Sequence, residues 1–122
     1  MQKFHAKAIV DQEMSYTIVG GRFSPTRKID LSREDVLLSI AGTEELQLSV
    51  AAGSFLETGM GGFVASVQRS LCTTEILLQP FSGGDWAYSA AIKSFEPGPE
   101  PVTVSLSIGC QMGKAQAKLF VF

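Results

Sequence analysis

The sequence predicts an all-β protein, an antiparallel sandwich of two packed sheets with eight or nine strands. Three observations carry that reading. Val102, Val104, Leu106 and Ile108 alternate with Thr103, Ser105 and Ser107, so an extended chain puts four aliphatic side chains on one face and three small hydroxyls on the other. Turn signals recur between such runs, at Gly42-Thr43, Gly53-Ser54, Ser82-Gly83-Gly84-Asp85 and Gly109 to Gly113. No window of about 11 to 18 residues holds a sustained apolar stripe at helical spacing. A closed up-and-down barrel is the rival, but it asks for tight hairpins throughout. The connections at Pro25 and from Pro97 to Pro101 read instead as crossings between sheets, which points to the immunoglobulin-like kind of sandwich.

Each element has its own pattern. Phe4, Ala6, Ala8 and Val10 alternate in a first strand with their even positions inward, and Asp11-Gln12-Glu13 is a polar turn. Met14, Tyr16 and Ile18 alternate with Ser15 and Thr17 in a second strand, and Gly20-Gly21 marks a bulge or a close backbone approach before Phe23. Residues 24–35 form a crossover with room for one helical turn opening at Asp30 or Ser32. Val36, Leu38 and Ile40 face Leu46, Leu48 and Val50 in a second hairpin. Phe55 to Glu57 is a short extended piece, and the glycines between Thr58 and Gly62 turn the chain into Phe63–Arg69. Leu71 to Thr74 reads as a connection or frayed end. Glu75 to Gln79 is a strand stopped by Pro80, and Trp86, Tyr88, Ala90 and Ile92 form its return. Ala115, Ala117, Leu119 and Val121 repeat the alternation of the strand before them and close the last hairpin.

At 122 residues the chain is one domain, 1–122, long enough to bury its own core without metal or several disulfides. Ten basic and twelve acidic residues give a net charge of −2, and no run of Lys or Arg leaves a footprint for nucleic acid or an anionic membrane. No apolar run reaches the roughly 18 residues of a membrane span. The first seven residues lack the apolar core of a signal peptide, which leaves a cytoplasmic protein or one whose leader has been removed. Cys72 and Cys110 permit one disulfide if their Cα atoms lie within about 7 Å, and are otherwise two free thiols.

Motifs for catalysis and for cofactors are missing. The single His5 lies on a strand near a chain end, with no nucleophile elbow elsewhere. Asp30, Glu34 and Asp35 cluster in one loop, where surface charge and capping are favoured over calcium binding or acid–base work. No helix follows the glycine-rich stretches, so they are turns and not phosphate loops. Trp86 and Tyr88 are candidates for a sugar-stacking platform, although they share a face with Ala90 and Ile92 and so also read as core. Phe120 and Phe122 fall on the face of Lys114, Gln116 and Lys118. There they form a candidate interface, to be covered by the chain's own first strand or by a second copy.

Several landmarks together resemble a family of β-sandwich modules of bacterial secreted and cell-surface proteins. They are Glu34-Asp35-Val36 with Leu38 and Ile40, Ala52-Gly53-Ser54-Phe55, Pro80 with Gly83-Gly84, and Pro101 to Gly109 with Gly113. The resemblance implies an extracellular or envelope location and brings no activity. Ala51 stands where that pattern has proline, and Cys110-Gln111 stand where it has acidic residues, which speaks against a cation in the last loop. The expectation is a non-enzymatic structural or interaction module with a protein partner or self-association, and a carbohydrate-binding module is the alternative.

Overall fold

Alternation in the sequence becomes ten strands in the computed structural model. The structure describes residues 1–42, 44–69, 72–95, 97–98 and 101–121. The strands are β1 (Lys7–Asp11), β2 (Tyr16–Phe23), β3 (Val36–Ala41), β4 (Glu45–Val50), β5 (Leu56–Glu57), β6 (Phe63–Arg69), β7 (Cys72–Pro80), β8 (Trp86–Lys93), β9 (Val102–Ile108) and β10 (Gln111–Val121). No α-helix occurs among the described residues. The protein is all-β, as its sequence predicts.

The strands join into one mixed sheet in the order β4-β3-β9-β10-β1-β2-β8-β7-β6-β5. The sheet curls so that its inward side chains share one apolar cluster, and β4 comes to lie against β6. Leu38, Ile40, Leu48, Leu106 and Ile108 enter that cluster from one side, and Val19, Phe23, Ile76, Leu78 and Ile92 from the other. The hairpin registers follow the patterns: Val36 faces Val50, Leu38 faces Leu48, and Gln111 faces Ile108.

Four expectations need correction. The sheet is not wholly antiparallel, because β1 and β10 pair in parallel, Lys7 with Lys118 through to Val10 with Val121. Both strands carry buried alanines, Ala8 and Ala117, on the core side, and the pairing, with Ala8 beside Leu119, continues the core across the two strands. Ten strands replace eight or nine, since the piece after Phe55 pairs as β5 and the sheet runs through Cys72 and Pro80. Pro80 is tolerated at the strand end, where it pairs only with Trp86. Met14 belongs to the turn, and β2 turns its other face inward: Thr17 and Val19 are buried and Ile18 is exposed. The turn joining β1 to β2 sets Asp11 opposite Tyr16 and therefore Ile9 opposite Ile18, both outward.

Close approach accounts for several glycines, and two of them seat the N-terminal segment. A side chain on Gly21 would lie 1.9 Å from the His5 carbonyl oxygen, and one on Gly113 would lie 2.5 Å from the Phe4 ring. Their absence seats the N-terminal segment beside β2 and over β10, where the Phe4 ring stacks on Tyr88 at 5.1 Å. In the crossover, the Asp30 carbonyl accepts from the amides of Arg33 and Glu34, a hydrogen-bonded turn where the sequence leaves room for a helical one; the 3-10 turn found among the described residues lies instead at Ser82–Gly84. Buried Gln111 holds the crossover to β10 by accepting from the Thr26 amide at 3.0 Å.

Candidate functional site

The two aromatic residues nominated on β8 part company. Tyr88 is buried in the core, its hydroxyl donating to the His5 carbonyl at 2.7 Å, and its burial pushes the phenol far above its ordinary pKa. A sugar has no access to it, and Tyr88 is withdrawn as a ligand-binding residue. Trp86 is half-buried and stacks on Phe63 with ring centroids 6.0 Å apart. These two rings line a cleft of about 360 Å³ that also receives Phe55, Asp30, Ser32 and Glu57.

Asp30 and Glu34 are held by their own loop, and Asp35 by the turn after β4. Asp30 accepts from the Ser32 hydroxyl at 2.5 Å and the Ser32 amide at 3.1 Å, which lowers its pKa from the ordinary carboxylate value. Glu34 pairs with Arg27 at 2.7 Å and accepts from the Asp30 amide, while Asp35 accepts from the Ala52 amide. Among the described residues no group of three or more His, Cys, Asp or Glu is placed to hold a metal. Cys72 opens β7 and Cys110 lies in the turn between β9 and β10, and both are free.

Phe120 is exposed on the outer face of β10, as the parity of Lys114, Gln116 and Lys118 predicts. Phe122 lies outside the described residues. The seam with β1 does not cover the Phe120 ring, because Ile9 stands beside it and Ile18 beside Ile9, both on the same outer face. Phe120 and Ile18 are 45% and 43% exposed. Three adjoining strands thus present an apolar row to solvent.

That row runs into a groove of about 580 Å³, which Ile9 and Ile18 also line. Gly20 of β2 and Ala87 and Ser89 of β8 give it a low floor. His5 and Lys7 rise along one side, and Arg22 stands over the Phe81 ring, 4.5 Å from its centroid. Nothing in the sequence reading nominated this groove. Its one visible signal was Gly20-Gly21, and the rest arises from cross-strand register.

The described residues contain no helix long and apolar enough to cross a membrane. Compared with protein-family models, with curated proteins and with solved structures, the chain finds no match.

Proposed function

We propose that the protein is a non-enzymatic interaction module of a bacterial surface or secreted protein, its two sheet halves stacked as an immunoglobulin-like sandwich. Its working surface is the outer face of β10, β1, β2 and β8. One observation carries the reading: the apolar row Phe120–Ile9–Ile18 crosses three neighbouring strands with its two end residues close to half exposed. Apolar side chains adjoining on a sheet surface are a recognised mark of a contact site. Covering the exposed halves of Phe120 and Ile18 is worth about 1 kcal/mol each.

Light scattering on the wild type and on a Phe120→Ser, Ile18→Ser double variant separates the occupants. Concentration-dependent dimers lost in a folded variant put a second copy on the face. A monomeric wild type gives the face to a different protein, which the wild type retains from a source lysate and the variant does not. A monomer that retains nothing the variant loses sinks the reading.

The carbohydrate-binding alternative rests on the Trp86 cleft, where aromatic faces meet the carboxylates of Asp30 and Glu57 in the manner of a sugar subsite. A glycan array read with the wild type and Trp86→Ala decides it. Binding lost in a folded variant favours this reading, and no binding by the wild type removes it.

A further inference from the structure

The interaction-module reading names a face but not the chemistry of what docks there, and the groove over Gly20 supplies it. We propose that this groove binds an extended segment of a partner protein in which an acidic side chain lies next to a large apolar one.

The floor and the walls make different demands. Gly20, Ala87 and Ser89 leave a recess, and Ser89 carries the only hydroxyl in the lining. A recess of that kind suits an apolar side chain and offers little to a sugar, whose hydroxyls need several polar partners. The charged side chains in the lining are Lys7 and Arg22, with His5 beside them, and no carboxylate lines the groove. In a chain whose net charge is −2, this face therefore runs against the sign of the whole molecule.

Neither cation takes part in an ion pair among the described residues. Both ion pairs among the described residues, Arg27 with Glu34 and Arg33 with Asp30, lie in the crossover. Lys7 sits directly beside Lys118 across the parallel seam, an arrangement of like charges that costs stability when nothing is bound. An acidic group between Lys7 and Arg22 relieves that cost. A second copy laid on the groove does the opposite, bringing Lys7, Lys118 and Arg22 against their own counterparts. From Ile18 to Arg22 the groove follows β2 for about 13 Å, the length of three or four residues of extended chain.

Amide chemical shifts of isotope-labelled protein, titrated with acetyl-Glu-Leu-Glu-Phe-amide and with acetyl-Lys-Leu-Lys-Phe-amide, test this. Saturable shifts should centre on Lys7, Gly20, Arg22 and Ser89 with the acidic peptide, and binding of the basic peptide should be at least about tenfold weaker. Lys7→Glu with Arg22→Glu should reverse that preference, and Ser89→Leu should fill the recess and weaken the acidic peptide. The dispersion of the same spectra reports that each variant is folded.

The proposal falls if the acidic peptide produces no saturable shifts or produces them around Trp86. It falls if both peptides bind alike, or if the charge reversal changes nothing. Sedimentation of the wild type with phosphatidylglycerol vesicles, in the absence of peptide binding, would assign the face to lipid and overturn it. Dimers dissolved by the charge reversal would assign it to a second copy, with the same result. A partner retained through Phe120 and Ile18 while the peptide fails would leave the interaction module standing and remove this inference alone.

Discussion

The two halves of the sheet share one core yet differ on both their inner and their outer faces. From β4 to β9 the inner face is wholly aliphatic, and the outer face carries Gln47, Ser49, Ser39, Thr103, Ser105 and Ser107, with Leu37 and Ala41 the apolar exceptions. From β1 to β7 the inner face includes two buried threonines, Thr17 and Thr74, while the outer face carries Ile9, Ile18 and Leu77. The first half is as amphipathic as a half-buried sheet can be. The second departs from that in both directions, which lowers stability inside and solubility outside. Such departures from local consistency gather where a surface serves something besides folding.

The largest expected effect tests whether the halves share one fate. Leu106→Ala on β9 and Ile76→Ala on β7 each remove a fully buried side chain from the common cluster and should cost about 2–5 kcal/mol. Denaturant unfolding followed by tryptophan fluorescence and by circular dichroism should give one coincident transition for both variants. Separate transitions would mean two independent halves.

Next come the two buried threonines. The Thr17 hydroxyl donates to the Phe95 carbonyl at 2.5 Å, whereas the Thr74 hydroxyl is buried without a hydrogen-bond partner. Thr17→Val should destabilise by about 1–3 kcal/mol, and Thr74→Val should leave stability unchanged or raise it by about 1 kcal/mol. Equal losses at both sites, measured by urea midpoints, would show that Thr74 is satisfied in solution.

On the outer faces stability should barely move. Phe120→Ser and Ser105→Ala should each change it by no more than about 0.5 kcal/mol. Only Phe120→Ser should alter association, and loss of association in Ser105→Ala would erase the contrast between the faces.

The smallest effect belongs to Asp30. Its folded pKa is lowered from 3.8, first by the Ser32 hydroxyl and then by the Ser32 amide. Its contribution is therefore complete above the unfolded value and fades as the pH falls through the lower folded one. Between neutral pH and pH about 2, the wild type should lose slightly more stability than Ser32→Ala. An identical loss in the two proteins would contradict this.

Much of this was legible in the chain itself. The β3–β4 and β9–β10 hairpins follow strict alternation, so each register could be written down from residue order. Phe120 could be placed outward because Lys114, Gln116 and Lys118 share its parity. The inward face of β2 could not be read, since Met14, Tyr16 and Ile18 alternate as well as Thr17, Val19 and Phe23 do, and only turn geometry chooses between them. The groove was hidden for a related reason: Lys7, Gly20 and Ser89 are neighbours only through long-range pairing. Tyr88 was named with Trp86, but the pattern did not say that its hydroxyl would be held by the His5 carbonyl.

The parallel seam has a mechanical meaning. Because β1 and β10 run in the same direction, the start of β1 and the end of β10 lie at opposite ends of the four residue pairs that join them. Tension along the chain from those two points slides one strand past the other and loads the bonds of the seam together. An antiparallel pair pulled from adjacent ends would instead peel open one bond at a time. Single-molecule extension through the termini should thus meet a higher rupture force than extension across β3 and β4 through cysteines placed at Leu37 and Ser49, near the end of the hairpin away from its turn. Equal forces in the two geometries would show that the seam bears no such load.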